Sequence, residues 1–147
     1  MSENCVIAYT DGACKGNPGV GGWGALLMYK GNVKELYGAE KETTNNRMEL
    51  LAAINTLKTL KRRCDITIYT DSKYLQNGIL EWMPNWIKNN WKTKANKPVK
   101  NKDLWEELSN LVNLHNVKWS WVKGHSGDAG NERADALANK AIEKLLK

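Results

Sequence analysis

Two short apolar runs in this sequence each end at the tripeptide Tyr-Thr-Asp. The run CVIAYTD ends at Asp11, and the run DITIYTD ends at Asp71, sixty residues later. Their β-branched and alternating residues predict two strands. An aspartate after a strand is often a turn former or a helix cap, and Gly12 and Ser72, which follow, allow that interpretation. Ligands of open α/β sheets, however, lie beyond the carboxyl ends of strands, so Asp11 and Asp71 are also candidate site residues.

The remaining pattern predicts a mixed sheet with helices on its faces. Strands are expected at residues 4–10, 20–30, 33–40, 65–70 and 117–122. An apolar stripe predicts a helix from Thr44 or Asn45 to Leu60. Further helices are expected at residues 72–80, from Pro84, at 104–112 and at 134–145. Strands that are separated by helices should be parallel, whereas the closely spaced second and third strands suggest an antiparallel meander.

One basic segment accounts for the whole net charge of +6. Residues 82–102 contain no acid, which leaves equal numbers of basic and acidic residues elsewhere. Three tryptophans (Trp82, Trp86 and Trp91) alternate there with Lys88, Lys92, Lys94, Lys97, Lys100 and Lys102. A solvated lysine-rich face is one interpretation. The mixture with tryptophan better suits a surface that contacts phosphates and sugar or base faces, so we expect a polyanionic partner.

Length and composition predict one globular domain over residues 1–147. We expect a cytoplasmic protein without a membrane segment, because no leader pattern and no apolar run of about 18 residues occurs. Cys5, Cys14 and Cys64 are odd in number and never spaced as C-x-x-C. A zinc site or a disulfide framework is therefore not expected.

Two helical acids extend the set of candidate site residues. Glu49 lies one position off the apolar stripe of its helix, and Asp135 has the same relation to Ala134. Each has an asparagine four residues upstream on the same helix face, Asn45 and Asn131 respectively. Carboxylates and amides on one face form an oxygen-rich ligand set, although acids at helix borders are commonly just solvated.

Convergence of the four carboxylates would restrict the chemistry. Four such groups within a few ångströms repel one another and raise at least one pKa unless divalent cations neutralise them. Oxygen-only ligands favour Mg²⁺, or Mn²⁺, over zinc. Two such ions about 4 Å apart suit phosphodiester hydrolysis, which also fits the basic segment.

Four ordered motifs carry a family resemblance over residues 5 to about 142. They are YTDGACKGNPGVGGWGA, TTNNRMEL, YTDSKY and WVKGHSGDAGNERADALA, and together they resemble ribonuclease H type 1 of the bacterial cytosolic kind. The resemblance implies the α/β ribonuclease H-like fold. That fold has a five-stranded mixed sheet, three antiparallel strands and then two parallel ones, flanked by helices. It also places the two Tyr-Thr-Asp strands side by side.

The resemblance also implies an activity and a catalytic set. The family cleaves the RNA strand of RNA–DNA hybrids with little sequence preference, using two Mg²⁺ ions and leaving 5′-phosphate and 3′-hydroxyl ends. Asp11, Glu49, Asp71 and Asp135 match the metal-binding carboxylates of the family. Glu49 would also lie near a ribose 2′-hydroxyl. His125 matches a loop histidine to which proton transfer or product departure is assigned.

The substrate contacts implied by the resemblance are spread over the chain. Thr44 resembles part of a pocket for a DNA phosphate, and Asn131 is expected to join the contacts. Minor-groove contacts are expected from Gly12, Cys14, Asn17, Asn45 and Asn46. A protrusion that grips DNA is expected from residues 82–102, with Trp82, Trp86, Lys88, Lys92, Lys97 and Lys100. Trp23, Trp105, Trp119 and Trp121 are instead expected in or beside the core.

Two positions depart from the family pattern, and two other functions stay open. Lys73 replaces a glutamine of some members, and Glu42 stands where some have a basic residue beside the phosphate pocket. A DNA-joining or transposing nuclease of the same fold would normally need further DNA-binding regions. A non-catalytic hybrid-binding module would need a broken carboxylate set, and all four positions are filled. A monomer is expected.

Overall fold

A mixed sheet lies at the centre of this computed structural model, which describes residues 5–16, 18–122 and 129–147. Within those residues the sheet has five strands, in the order β3-β2-β1-β4-β5. The strands are β1 (Cys5–Gly16), β2 (Gly19–Tyr29), β3 (Asn32–Thr43), β4 (Asp65–Thr70) and β5 (Asn116–Trp121). Strands β1, β2 and β3 pair antiparallel, whereas β4 is parallel to both β1 and β5. The predicted five-stranded mixed sheet is therefore confirmed.

Strand β1 extends well past its predicted end. Its parallel pairing with β4 ends at Tyr9 and Tyr69, but its pairing with β2 continues to Gly16. The prediction that Asp11 ends its own strand is therefore wrong, because Asp11 still pairs with Gly24 of β2. Asp11 instead lies two residues beyond the last pair between β1 and β4. Strand β4 therefore does not pair with β1 at Asp11.

The helices begin and end close to the predicted positions. They are α1 (Asn45–Thr59), α2 (Lys73–Asn77), α3 (Met83–Lys88), α4 (Lys102–Leu114) and α5 (Ala129–Leu146). Thr44 is the N-cap of α1, since its Oγ1 accepts a hydrogen bond from Arg47 N at 3.2 Å. One π-helical turn at Gly78–Trp82 joins α2 to α3, in place of the single helix expected to about Leu80. Gly78 faces the indole of Trp105 so closely that a Cβ would overlap the ring.

The two faces of the sheet carry different helices. Asp11 and its partner Gly24 point to one face, so Gly12 points to the other. Helix α5 packs on the Gly24 face and α1 on the Gly12 face. The main core lies between the sheet, α1 and α4, and it includes Leu50, Ile54, Ile68, Trp105 and Leu108. None of the helices in the described ranges has the length and apolarity needed to cross a bilayer.

Candidate active site

Two glycines bring both helices close to the middle of β1. A Cβ on Gly12 would lie 2.7 Å from the backbone nitrogen of Glu49, so α1 approaches β1 as closely as its backbone allows. A Cβ on Gly24 would lie 2.6 Å from the Cβ of Leu137 in α5. Larger residues at either position would push a helix outward. The sequence thus places a helix from each face next to Asp11.

Three carboxylates meet at the point where β1 and β4 separate. Asp11, Glu49 and Asp71 each offer one oxygen, and these three oxygens lie within 4.8 Å of one another. Asp11 and Glu49 are buried, with 4% and 5% of their surface exposed, whereas Asp71 is half-buried. Strand β1, helix α1 and the end of β4 thus each contribute one acid. The expected convergence of these three acids is observed.

Asp135 reaches the same cluster from the first turns of α5. Its carboxyl group forms a side-chain hydrogen bond with that of Asp11. Among the described residues, the three-oxygen group consists of Asp11, Glu49 and Asp71, without Asp135. Asn139 Nδ2 donates to the Asp135 backbone carbonyl at 3.0 Å and lies 3.5 Å from its Oδ1. Asp135 therefore borders the cluster through Asp11.

Burial and mutual repulsion strongly perturb this cluster. Desolvation, then the charge of Asp71 and the contact with Asp135, raise the pKa of Asp11 from 3.8 to about 8. Burial first, and then the charges of Asp11 and Asp71, raise the pKa of Glu49 well above its ordinary value. Without cations, the cluster therefore retains protons at neutral pH.

The donor set fits hard divalent cations. All the ligand atoms are carboxylate oxygens, as Mg²⁺ and Mn²⁺ prefer. The Oε1 atom of Glu49 is buried without a hydrogen-bond partner among the described residues. An unsatisfied buried acceptor is costly, and a cation beside it would remove that cost.

Comparison with known proteins agrees with this geometry. The family model for RNase H matches residues 3–143. The chain belongs to the ribonuclease H family. It is 74% identical over 144 residues to the Ribonuclease H of Francisella tularensis subsp. novicida, which covers 98% of this chain and 95% of that relative. The expected resemblance and the expected ribonuclease H enzyme are both confirmed.

Solved ribonuclease H structures share the fold. LC9-RNase H1, described as a type 1 RNase H with the type 2 active-site motif, is 34% identical with a TM-score of 0.86, over 98% of this chain and 74% of that one. LC11-RNase H1 in complex with an RNA/DNA hybrid is 24% identical with a TM-score of 0.72, over 97% of this chain and 99% of that one. The second likeness is a likeness of fold.

The expected groove residues of this ribonuclease H lie along β1 and the start of α1. Thr44 is half-buried at the α1 N-terminus, followed by exposed Asn45 and half-buried Asn46. The Cys14 thiol, on β1, lies 3.5 Å from the Thr43 carbonyl oxygen, which ties the two segments together. Asn17 and His125 lie outside the described residues, so their roles stay predictions.

The buried Asn131 lies one turn before Asp135 in α5. Only 1% of its surface is exposed, and it sits in the first turn of the helix. Gly130 beside it packs against the ring of Tyr9, two residues before Asp11. Asn131 is thus part of the α5 end that adjoins the cluster, and its contact with substrate stays a prediction.

The basic protrusion combines exposed lysines with partly buried tryptophans. Lys88, Lys92, Lys97 and Lys100 are exposed. Trp82 and Trp86 are half-buried, with ring centroids 5.8 Å apart. Trp86 also contacts Trp91 at 6.3 Å and the fully buried Trp105 at 5.5 Å. The tryptophans therefore anchor the protrusion to the core and also keep part of their surface in solvent.

A bridge of side-chain hydrogen bonds near the cluster was not predicted from the sequence. Tyr74, Arg47 and Asn101 are joined by side-chain hydrogen bonds. Asn101 is 27 positions from Tyr74 and 54 from Arg47, so no spacing pattern indicates their contact.

A cavity of about 880 Å³ lies away from the carboxylate cluster. It lies at the opposite end of the sheet, beside Val6 and Asp65, and none of the expected site residues within the described ranges lines it.

Proposed function

We propose that this protein is an endoribonuclease that hydrolyses the RNA strand of RNA–DNA hybrids with little sequence preference, leaving 5′-phosphate and 3′-hydroxyl ends. The observation that carries the proposal is the meeting of Asp11, Glu49 and Asp71 within 4.8 Å in a ribonuclease H-family chain. A related fold, that of LC11-RNase H1, was solved with an RNA/DNA hybrid, which supports the substrate class.

The four carboxylates are the proposed holders of two Mg²⁺ ions, with Mn²⁺ as a substitute. Asp11 would help to hold the ions, because it neighbours Asp71, Glu49 and Asp135. When bound, such ions supply Lewis-acid chemistry, since they polarise a phosphate and make water more acidic. The protein holds its acids in place beforehand through β1, β4 and the closely packed helices α1 and α5.

Substrate recognition is proposed to rest on groove shape and on the ribose 2′-hydroxyl. Gly12 and Cys14 lie on β1, against which α1 packs, and Asn45 and Asn46 lie at the start of α1. These residues are proposed to present small polar groups to the substrate. Such groups suit a shallow groove, where the 2′-hydroxyl distinguishes RNA from DNA. Thr44 is proposed to face a phosphate, and the exposed protrusion lysines to contact the DNA strand. The whole chain is proposed to act as one domain and as a monomer.

The decisive experiment compares three end-labelled duplexes of one sequence: RNA–DNA hybrid, RNA and DNA. Each is incubated with Mg²⁺ and with EDTA. We expect cutting of the hybrid alone, only with Mg²⁺, and products whose 5′ ends accept label only after phosphatase treatment. Equal cutting of duplex DNA would support the DNA-joining nuclease instead, and binding of the hybrid without cutting would support the binding module.

A matched pair of variants on β4 tests the carboxylate assignment. Asp71→Asn changes the acid at the carboxyl end of the strand, whereas Asp65→Asn changes the exposed acid at its start, which accepts a hydrogen bond from Asn116. Both remove one negative charge from the same strand. We expect Asp71→Asn to lose cleavage by at least about 100-fold, since each acid serves metal binding directly. Asp65→Asn should cleave like the parent. Equal activities would overturn the assignment.

A further inference from the structure

We infer that the Tyr74 hydroxyl is a positioning group that, through Asn101 and Arg47, fixes Glu49 relative to Asp71. The hydroxyl accepts hydrogen bonds from Asn101 Nδ2 and Trp105 Nε1, both at 3.0 Å. Asn101 Oδ1 in turn accepts a hydrogen bond from Arg47 Nη1 at 3.3 Å. The inference deepens the proposed function and rests on it.

Both ends of this bridge lie next to cluster acids. Arg47 is in the first turn of α1, two residues before Glu49. Tyr74 is in α2, three residues after Asp71. Direct packing between α1 and α2 is sparse. The hydrogen bonds of Asn101 therefore add a side-chain link between the helix that carries Glu49 and the segment that carries Asp71, beside the indirect connection through β1 and β4.

Two hydrogen bonds of Ser72 hold the short segment between Asp71 and Tyr74. Ser72 Oγ caps α2 by accepting from Leu75 N at 3.1 Å. The backbone nitrogen of Ser72 donates to Thr70 Oγ1 at 3.2 Å. These two bonds tie Ser72, which lies between Asp71 and Tyr74, to both β4 and α2.

The conformation of Asn101 indicates that its side chain serves this bridge. Asn101 is the N-cap of α4, where an asparagine side chain usually accepts from a backbone N–H of the first turn. Here it makes no capping bond and has a left-handed backbone with φ 59°. The residue thus has an unfavourable conformation without the usual local compensation. Its two side-chain bonds to Tyr74 and Arg47 supply the compensation.

The other end of the bridge is anchored by an ion pair. Arg47 donates from Nη2 to Asp103 Oδ2 at 3.2 Å and from Nη1 to Asp103 Oδ1 at 3.3 Å. This paired geometry fixes the guanidinium plane, which a lysine cannot reproduce. Arg47→Lys should therefore loosen the bridge and keep the charge.

The primary test is Tyr74→Phe, which removes one hydroxyl and keeps the ring that packs on Trp105. Its control is Tyr37→Phe, which removes a hydroxyl that accepts from Lys144 on the far side of α5. The values of kcat and KM on the hybrid are measured well below the melting temperatures of the variants. The Mg²⁺ concentration that gives half of the metal-induced rise in Tm is measured separately. Disturbed support of metal ligands typically costs about 10–100-fold in affinity or activity. We expect kcat to fall by about 10-fold in Tyr74→Phe with KM unchanged, and the half-point for Mg²⁺ to rise.

Arg47→Lys should likewise lower kcat and raise the half-point for Mg²⁺. The double variant Tyr74→Phe with Arg47→Lys should be little worse than the more affected single variant, because both break one bridge. Wild-type kcat and an unchanged Mg²⁺ half-point in Tyr74→Phe would overturn the inference, even if Tm falls. Failure of the proposed function would look different, since the parent protein itself would then neither cut hybrid nor respond to Mg²⁺.

Discussion

Tyr9 and Tyr69 stack across the parallel pair β1 and β4, with ring centroids 4.7 Å apart and ring planes 19° apart. They are the last residues that β1 and β4 pair with each other. Two positions further along lie Asp11 and Asp71, so the stacked rings precede the place where the acids meet. The two Tyr-Thr-Asp tripeptides of the sequence therefore lie in register on neighbouring strands, with the tyrosines stacked directly before the cluster.

Removal of one charge from the cluster should stabilise the metal-free protein at alkaline pH. The pKa of Asp11 is about 8 in the folded protein, against 3.8 ordinarily, so between these values the folded state binds more protons than the unfolded state. The stability of the parent should thus fall as pH rises from about 4 to about 8. Asp11→Asn should show a shallower fall.

The expected gain follows from the repulsion that is removed. Two like charges within 4.8 Å of one another repel by about 3 kcal/mol at an effective dielectric constant of about 20. Asp11→Asn should be more stable than the parent in EDTA at pH 8, by up to that amount, and the difference should shrink at pH 5. Urea unfolding at both pH values measures it. Added Mg²⁺ should raise the stability of the parent and not that of the variant; a lower stability of Asp11→Asn at pH 8 would contradict the electrostatic account.

Close packing of α1 against β1 should be intolerant of a single methyl group. In Gly12→Ala the new Cβ would lie 2.7 Å from Glu49 N and 2.8 Å from the Met48 carbonyl carbon, both backbone atoms that cannot rotate away. Overpacking of this kind costs about 1–3 kcal/mol. We expect a lower free energy of unfolding together with a loss of Mg²⁺ binding, because α1 carries Glu49. Calorimetry with and without Mg²⁺ checks both, and normal metal binding would show that the close approach is not needed for the cluster.

Sequence patterns predicted the elements better than their contacts. The order of strands and helices follows from apolar periodicity, which is a local property of the chain. The extension of β1 to Gly16 was missed because it contains Gly12 and Gly16, and glycine has a low strand propensity. Pairing across a hairpin is also not visible in alternation. The π-helical turn at Gly78–Trp82 begins at a glycine that packs against the ring of Trp105, a distant contact that no local pattern indicates.

For the candidate site too, the sequence predicted which residues take part better than it predicted their contacts. Family motifs identified the four acids, and the register of two strands brings Asp11 and Asp71 together. The interaction of Asp135 with Asp11 depends on how α5 packs against Gly24. The bridge through Tyr74 depends on the left-handed Asn101, a backbone state that many sequences with asparagine do not adopt.

The protrusion should contribute affinity rather than chemistry. Lys88, Lys92, Lys97 and Lys100 are exposed and belong to a segment without acids. We expect their joint replacement by alanine to raise KM for the hybrid, to leave kcat nearly unchanged and to reduce the salt dependence. Each lost phosphate contact should lower the slope of log affinity against log salt by about 0.9.

The control for that variant removes the same charge elsewhere. Joint replacement of Lys30, Lys34, Lys61 and Lys118, all exposed and outside the protrusion, gives the same net charge. Titration of KM against salt for both variants and the parent separates a local contact from a general electrostatic effect. Equal rises of KM in the two variants would show that the protrusion has no special role.

Restoration of a positive charge at position 42 should tighten binding. Glu42 is exposed at the end of β3, two residues before Thr44, which is proposed to face a phosphate. A carboxylate there repels a phosphate that an arginine would attract through paired hydrogen bonds. We expect Glu42→Arg to lower KM for the hybrid several-fold at low salt, with kcat unchanged and the advantage reduced at high salt. Glu42→Gln, which removes the repulsion alone, should give an intermediate KM; if both variants match the parent at low salt, no phosphate lies near Thr44.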